Sequence, residues 1–389
     1  MKVLKKKLIK FLIIVFACVL VVGASLGIGI WEFSKDTYYI NKEDNVLFQR
    51  THMEYLRNEY YENYLPKGEQ TFCNFDLETA INSGIKYNEV AFLATHNSYQ
   101  RLATEQTKKY QLPFNVLSFG ITTLTDFNKN NFENDTLTGQ FEHGIRSIEL
   151  DVEARVDGDK VSFTTMHKPI IDSATSCFDF ETALEEIVLW SDHNPGHLPI
   201  SIIIEDKQEV GAVDGLKKFS IDYADEFDAL LKGKLGDKLL TPGDMLREHS
   251  TFKDMREADD WMKLEDTLGK VIVILHEGKL TKKYVALDES LRTQAMFPSL
   301  LYKQAEKRDY ASFIVENKPK DAVKREDFYV EGNFVVRTRA DHYPKSSDER
   351  YSLTEECKSQ IITTDYCPRN CREEEHTYSF GGYTVKLVG

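Results

Sequence analysis

The sequence predicts an α/β fold, a closed (β/α)₈ barrel of the TIM type that follows an N-terminal transmembrane anchor. Three observations support this prediction. Short apolar runs recur along the chain after residue 88, and most are separated by stretches long enough for a helix. Two of those stretches, Ala174–Trp190 and Asp214–Leu231, have apolar residues at helical spacing. A further run without any charged residue, Phe11–Trp31, lies close to the N-terminus.

The apolar runs after residue 88 are typical of short buried strands. Strands that alternate with helices predict a parallel sheet, and eight such units predict closure into a barrel. Two connections, Gln100–His143 and Asp206–Lys270, are long, and we expect inserted loops and helices there, not new domains. The runs are Val90–Thr95, Ile145–Val152, Val161–Met166, Leu198–Glu205, Val271–Leu275, Ser312–Val315, Phe334–Arg337 and Ile361–Thr364.

The N-terminal run Phe11–Trp31 has 21 residues, and about 20 apolar residues suffice to cross a bilayer core. The lysines ahead of it predict that the tail stays in the cytoplasm and that the rest is exported. We therefore expect a single-pass membrane protein whose folded part lies on the extracytoplasmic side. A cleaved signal peptide, which would give a secreted protein, is the alternative. The predicted organisation is tail and anchor over 1–31, a spacer with a helical lead-in over 32–88, and the barrel over 89–389.

The charge balance excludes some function classes. The formal net charge is −14, and removing the five positive charges that precede Glu32 leaves −19 for the remaining residues. A chain this acidic lacks the basic surface that nucleic-acid binding requires, so no nucleic-acid partner is expected. The same excess disfavours long-range attraction to anionic lipids, but it is compatible with a divalent-cation site.

Five cysteines follow the predicted anchor, and export would allow disulfides among them. Because the number is odd, at least one thiol is unpaired within the chain. The closely spaced pair Cys367 and Cys371 could close a small loop, or Cys357 could bond to either. A zinc site is not expected, because the chain has no second closely spaced pair. The five are Cys73, Cys177, Cys357, Cys367 and Cys371.

Polar side chains end or follow four successive runs, and the carboxyl ends of barrel strands meet at one face. Glu149 and Asp151 are two residues apart, so they point to the same side of a strand. Carboxylates in apolar strands are costly without a cation, and three of them with an amide oxygen suit Ca²⁺ or Mg²⁺. Each residue alone could be an ordinary strand end, but together they predict a metal site beside two histidines available for acid–base chemistry. The set is His96, Asn97, Glu149, Asp151, His167 and Glu205.

These motifs, in this order, resemble the X-type barrel half of Ca²⁺-dependent phosphoinositide-specific phospholipases C. Longer segments around these motifs, given at the end of this paragraph, resemble the compact single-barrel branch of that family, which is bacterial or secreted. The resemblance spans roughly residues 88 to 370. The resemblance implies cleavage of phosphatidylinositol-type lipids into diacylglycerol and a cyclic inositol phosphate. The matching segments are THNSY, GIRSIELDVE, MHKPIID, WSDHNPGHLPISIIIEDK, VVRTRAD and QIITTDYCP.

The resemblance also implies a role for each residue of the set. The inositol 2-hydroxyl would attack phosphorus, and bound Ca²⁺ would lower the pKa of that hydroxyl and neutralise phosphoryl charge. His167 would protonate the departing glycerol oxygen, and His96 would stabilise the phosphorane. The base would be a ligating carboxylate or a histidine. The implied Ca²⁺ ligands are Asn97, Glu149, Asp151 and Glu205.

Further candidates lie next to the predicted site. Lys207 and Arg339 follow strand ends and could contact phosphate oxygens, and Tyr366 could stack on an inositol ring. Each also has an ordinary salt-bridge or packing explanation. The spacing of His193 and His197 resembles that of zinc ligands, but an Asn-Pro-Gly turn between them favours a structured loop. Secondary candidates are His143, Arg146, Glu153, Asp172 and Asp341.

Two other functions fit part of the pattern. A glycerophosphodiester phosphodiesterase uses a related barrel, but that group begins its site with His-Arg-Gly, whereas Asn97 follows His96 here. A catalytically inert barrel that binds inositol lipids is the second alternative, and the complete set of six polar residues argues against it. No tandem EF-hand loops and no separate lipid-binding domain are recognisable in the sequence, so no headgroup preference is predicted.

Overall fold

The computed structural model describes residues 23, 25, 28–29, 32, 35–109, 132–169, 172–207, 213, 215–342, 346–366 and 377–388. Eight parallel strands form a closed barrel, which confirms the predicted α/β fold. Around the barrel the order is β1, β2, β4, β6, β7, β8, β9 and β10, and β10 pairs with β1. The strands are β1 Val90–Thr95, β2 Ser147–Asp157, β3 Lys160–Thr165, β4 Ile200–Asp206, β5 Leu216–Lys217, β6 Val271–Leu275, β7 Met296–Leu300, β8 Phe313–Val315, β9 Val335–Arg339, β10 Ile361–Thr364 and β11 Val385–Leu387.

Helices cover the outside of the barrel. Helix α4, Phe180–His193, packs against β3 and begins where the Asp179 side chain accepts a hydrogen bond from the amide of Thr182. Helix α1 covers residues 35–55 and continues as a π-helical turn over Leu56–Tyr60. The other α-helices are α2 Leu77–Asn82, α3 Leu137–Glu142, α4 Phe180–His193, α5 Ala224–Leu235, α6 Pro242–Leu246, α7 Phe252–Glu257, α8 Lys279–Val285, α9 Tyr302–Ala305, α10 Pro319–Lys324, α11 Glu326–Glu331 and α12 Asp348–Glu356.

The barrel closes along a narrow seam between β1 and β2. The two strands pair only at Ala94 and Ser147. Below that point the antiparallel strand β11 pairs with Val90–Phe92 and covers the edge of β1 that β2 leaves open. The C-terminal strand therefore satisfies backbone groups that would otherwise be exposed at the seam.

One of the expected barrel strands lies outside the barrel, and one observed barrel strand was not expected. Val161–Met166 was expected to be the third barrel strand, but β3 is the antiparallel arm of a hairpin with β2. The strand that the prediction lacked is β7, Met296–Leu300, which contains Pro298. Proline argues against a central strand because it donates no backbone hydrogen bond.

The interior of the barrel is apolar at the amino ends of the strands and charged at their carboxyl ends. Phe92, Ile272, Phe297 and Phe313 belong to one buried cluster inside the ring. Ile148 and Leu150 pack outward against the helices. Their alternation with Glu149 and Asp151 means that these carboxylates point inward.

The expected membrane placement requires a correction. Within the described ranges, no helix combines the length and the apolar character needed to cross a bilayer. The placement as a single-pass membrane protein is therefore wrong on this finding. The proposed anchor, Phe11–Trp31, falls almost wholly outside the described residues. Residues 35–55 of the predicted spacer form α1, which packs against the barrel.

Candidate active site

Three carboxylates meet at the carboxyl end of the barrel. Glu149 and Asp151 lie on β2, and Glu205 lies on β4, where its backbone is in register with Asp151. One oxygen from each of the three lies within 4.8 Å of the other two. The alternation of the strands and the parallel register produce this grouping, because both elements end at the same face.

Glu149 is held as a carboxylate by a buried arginine. Burial alone would raise its pKa, but Arg337 Nη2 donates to Glu149 Oε2, and the nearby His96 and His276 add positive charge. The net result is a pKa of about 2 for Glu149. Arg337 also donates to Thr363 Oγ1 at 2.9 Å, which fixes its guanidinium inside the barrel.

Asp151 is the most buried of the three carboxylates. Burial raises its pKa from 3.8 to about 6, with the Lys207 ammonium opposing the rise and Glu205 adding to it. Its Oδ2 accepts a hydrogen bond from Tyr99 OH at 2.5 Å and lies 2.8 Å from Lys207 Nζ. Its other oxygen, Oδ1, is buried and has no hydrogen-bond partner among the described residues.

Lys207 bridges two of the carboxylates. Its Nζ lies 2.8 Å from Asp151 Oδ2 and 3.0 Å from Glu205 Oε1. The side chain of Glu205 keeps 34% of its surface exposed, whereas Asp151 has none. Burial would lower the pKa of Lys207, but the two anions outweigh that effect and hold it above its usual value. Lys207 therefore supplies the positive charge that lets Asp151 and Glu205 lie side by side.

The donor set fits a hard divalent cation. The three carboxylates are close enough to share one ion, and Asp151 Oδ1 is a buried oxygen that has no hydrogen-bond partner in the described ranges. Asn97 directly follows β1 in a left-handed conformation, with φ of 45°, which asparagine tolerates better than most residues. These residues match the oxygen ligands that Ca²⁺ uses.

His96 forms a pair with a buried aspartate that directly follows β10. Its Nδ1 donates to Asp365 Oδ1 at 2.8 Å, and its Nε2 lies 3.7 Å from Glu149 Oε1. Arg339 Nη2 donates to the other oxygen of Asp365 at 2.7 Å. Asp365 therefore fixes the orientation of His96 and leaves Nε2 directed toward the carboxylates.

His167 forms a second pair on a loop. It follows the hairpin strand β3, so it does not end a barrel strand as the sequence had suggested. Its Nδ1 donates to Asp172 Oδ2 at 2.6 Å, and Gln100 Nε2 donates to Asp172 Oδ1 at 2.8 Å. Its positive charge, when present, lowers the pKa of Asp151, so His167 lies within electrostatic range of the cluster.

The remaining predicted residues have mixed positions. Arg339 lies at the end of β9 beside Asp365, and its Nε is a buried donor without a partner in the described part of the chain. Tyr366 follows β10 but is buried, with 7% of its surface exposed. Arg146 pairs with Glu69, away from the carboxylates. His197 is buried against Ser191 and Trp190, as expected for a structured loop.

Three site residues were absent from the predicted set. Asp365 follows β10 directly, so the rule that selected the other strand ends could also have selected it. Arg337 lies two residues before Arg339 in an otherwise apolar run, the same spacing that identified Glu149 and Asp151. No sequence signal identified Tyr99 as a donor to Asp151, because that contact depends on how the loop after β1 folds.

Comparisons with known proteins identify the family and the fold. Residues 157–389, more than half of the chain, match the family model described as phosphoinositide phospholipase C, Ca²⁺-dependent. A calcium-dependent phosphoinositol-specific phospholipase C from a Pseudomonas species has 18% identity and a TM-score of 0.52, with 78% of this chain and 96% of that chain covered. A Ca²⁺-dependent phosphatidylinositol-specific phospholipase C from Streptomyces antibioticus has 19% identity and a TM-score of 0.51, with 72% and 95% covered. At these identities the likeness shows a shared fold. No curated protein sequence matches the chain.

Proposed function

The chain belongs to the Ca²⁺-dependent phosphoinositide phospholipase C family, and we propose that it cleaves phosphatidylinositol-type lipids into diacylglycerol and a cyclic inositol phosphate. The enzyme is a phosphoric diester hydrolase that uses Ca²⁺. The observation that carries the proposed chemistry is a carboxylate cluster flanked by two histidines, each held by its own aspartate. The family match begins at residue 157, so the roles of His96, Asn97, Glu149 and Asp151 rest on geometry.

The proposed reaction forms one phosphoester bond and breaks another. The inositol 2-hydroxyl oxygen bonds to phosphorus, the bond from phosphorus to the glycerol oxygen breaks, and diacylglycerol leaves. The 2-hydroxyl proton passes to a carboxylate of the cluster, and the departing oxygen receives a proton from a histidine. Glu205 is the carboxylate that a ligand can reach, because a third of its side chain is exposed.

His167 is the proposed acid. Asp172 accepts from Nδ1, so Nε2 is the ring atom that would hold the proton that the glycerol oxygen takes. This is the arrangement in which an aspartate orients a histidine and stabilises its charged form. A positioned acid of this kind contributes about 10²–10⁴-fold to the rate.

His96 and Arg339 are the proposed stabilisers of phosphoryl charge. Asp365 holds both side chains, so His96 Nε2 and the guanidinium are fixed before substrate arrives. The Nε of Arg339, which has no partner among the residues that the structure describes, is a donor that a phosphate oxygen could satisfy. Stacking of Tyr366 on the inositol ring stays a prediction, and its burial offers it little support.

Glu149, Asp151, Glu205 and Asn97 would hold the cation at this end of the barrel. Bound there, Ca²⁺ supplies neutralisation of the phosphoryl charge and a lower pKa for the attacking hydroxyl. Arg337 keeps Glu149 charged, so this ligand is ready to bind across the physiological pH range.

Product analysis tests the proposal directly. The protein is incubated with phosphatidylinositol in phosphatidylcholine vesicles, with Ca²⁺ or with EDTA, and the soluble product is identified by ³¹P NMR. We expect cyclic inositol phosphate with Ca²⁺ and no product with EDTA. Equal turnover in EDTA would refute the metal role. His167→Ala and His96→Ala should each lower kcat by about 10²–10⁴-fold while the protein stays folded.

The same assay separates the alternatives. Release of glycerol 3-phosphate would indicate a glycerophosphodiester phosphodiesterase. Binding of the vesicles without either product would indicate an inert lipid-binding barrel. Either outcome would replace the proposed function.

A further inference from the structure

Helix α1 presents a row of three buried amide side chains to the barrel. Asn41, Asn45 and Gln49 are spaced by four residues, so they lie on one face of the helix. All three are almost completely buried. Buried amides are costly unless their donors and acceptors are satisfied, so this face needs specific polar partners.

Two of the amides pair with the main chain of one loop. Asn45 Nδ2 donates to the Ser173 carbonyl at 2.7 Å, and Asn45 Oδ1 accepts from the Thr175 amide at 3.1 Å. Gln49 Nε2 donates to the Asp179 carbonyl at 2.9 Å, and Gln49 Oε1 accepts from the Asp179 amide at 2.8 Å. Each amide therefore satisfies one backbone donor and one backbone acceptor, as a neighbouring strand would.

The third amide ties the same loop to the loop after β1. Asn41 Nδ2 lies within hydrogen-bond distance of Ser173 Oγ, at 2.9 Å, and of Thr107 Oγ1, at 2.7 Å. Asn41 Oδ1 accepts from Thr104 Oγ1 at 2.6 Å. The helix thus fixes two loops relative to each other at the rim of the barrel.

The fixed loop leads directly to the second histidine pair. Asp172 immediately precedes Ser173, and its carboxylate accepts from His167 and Gln100. Gln100 also forms a backbone bridge with Thr175, the residue whose amide Asn45 accepts from. The position of Asp172 is therefore set by α1 from one side and by the loop after β1 from the other.

We propose that Asn41, Asn45 and Gln49 are positioning residues, which act on the reaction through Asp172 and His167. The proposal rests on the proposed function, because it takes His167 as the group that protonates the leaving oxygen. Among the described residues, none of the three amides contacts the carboxylate cluster. We therefore expect cation binding to be independent of them. Displacement of a catalytic group by about 1 Å can cost a factor of about 10², which sets the scale of the expected effect.

The test is a double-mutant cycle between Asn45 and His167. Asn45→Ala should lower kcat at least roughly tenfold, with KM for phosphatidylinositol vesicles and Ca²⁺ affinity by calorimetry changed by less than about twofold. In the His167→Ala background the same substitution should cause no further loss, because the group it positions is absent. Hydrogen exchange at the amide of Thr175, which donates to Asn45 Oδ1, should accelerate in the variant.

The control is Arg50→Ala on the same helix, whose side chain is 66% exposed and, within the described part of the chain, has Glu54 as its ion-pair partner. It should leave all four measurements unchanged. If Asn45→Ala does not fold, Gln49→Ala takes its place in the cycle, with a smaller loss expected in the same pattern. Unchanged kcat, or an equal loss with and without His167, would overturn the proposal. A small effect of His167→Ala alone would instead refute the proposed acid.

Discussion

Replacing Lys207 by methionine should lower the free energy of unfolding of the Ca²⁺-free protein. The same substitution should tighten the binding of Ca²⁺. In the structure the Lys207 ammonium lies 2.8 Å from Asp151 and 3.0 Å from Glu205, two of the proposed ligands. A cation that binds these oxygens competes with the ammonium for them. Methionine keeps an apolar stem similar to that of lysine and removes the ammonium group, with its charge and its hydrogen-bond donors.

The size of both effects follows from burial. Removing one partner of a buried ion pair costs about 3–5 kcal/mol, because the other charge is left unpaired. Glu205 is 34% exposed and is partly screened by water, so we expect a loss of about 2–3 kcal/mol in the free energy of unfolding in EDTA. If the same contacts oppose the cation, their removal should tighten Ca²⁺ binding by roughly tenfold or more, since about 1.4 kcal/mol corresponds to a factor of ten.

Two measurements check this prediction. Urea unfolding in EDTA gives the change in stability, and calorimetric titration gives the dissociation constant of Ca²⁺. Lys234→Met is the matched control, because Lys234 also bridges two carboxylates, Glu181 at 2.6 Å and Glu185 at 2.8 Å, but at the surface. The control should change stability by less than about 1 kcal/mol and leave Ca²⁺ affinity unaltered. Unchanged or weaker Ca²⁺ binding in Lys207→Met would refute the competition.

Three further predictions concern neighbouring residues. Asp365→Asn removes the acceptor that orients His96, so kcat should fall by about 10²–10⁴-fold in the vesicle assay while Ca²⁺ affinity stays the same; a loss below tenfold would remove this pair from the mechanism. Asn97→Gly keeps the left-handed backbone and deletes the side-chain oxygen, so Ca²⁺ affinity should drop by roughly tenfold in calorimetry, and an unchanged affinity would show that Asn97 is not a ligand. Burial beside Asp365 raises the pKa of Asp341 from 3.8 to about 7. The proton on the Asp341 carboxyl therefore stabilises the folded state fully below about pH 4, and this stabilisation is lost as pH rises through about 7. Between about pH 5 and pH 8.5 the wild type should lose about 3 kcal/mol that Asp341→Asn does not lose, and parallel unfolding curves for the two proteins would contradict this.

Much of the fold and of the carboxylate cluster follows from local patterns. The first run, Val90–Thr95, has the same bounds as β1. Glu149 and Asp151 could be placed together because alternate residues of a strand share a face, and Glu205 could be added because parallel strands end at one side of a barrel. These inferences need only the period of a strand and the topology of the fold.

The errors concern information that local patterns do not contain. The hairpin strand β3 has the same apolar character as a barrel strand, and only its antiparallel pairing with β2 distinguishes it. Strand β7 is a barrel strand that the sequence analysis did not identify, and it contains a proline, which argues against a central strand. Periodicity gives no pairing partner, so a run of apolar residues cannot show which of these two arrangements it adopts.

Local patterns also do not predict long-range polar contacts. His96 and Asp365 are 269 residues apart in sequence, and their pairing depends on β1 and β10 being neighbours in the closed barrel. The amides of α1 lie in a segment that was expected to be a spacer with a helical lead-in, and polar residues there normally indicate contact with solvent. Their burial depends on a loop more than 120 residues further along the chain.

Anomalous scattering from a crystal of the protein grown with Ca²⁺ tests the central claim most directly. We expect one strong peak between the three carboxylates, about 2.3–2.6 Å from oxygens of Glu149, Asp151 and Glu205, with Lys207 Nζ moved away from Asp151. A cluster without a peak at saturating Ca²⁺, with Lys207 still bridging Asp151 and Glu205, would contradict the assignment of this site to the cation.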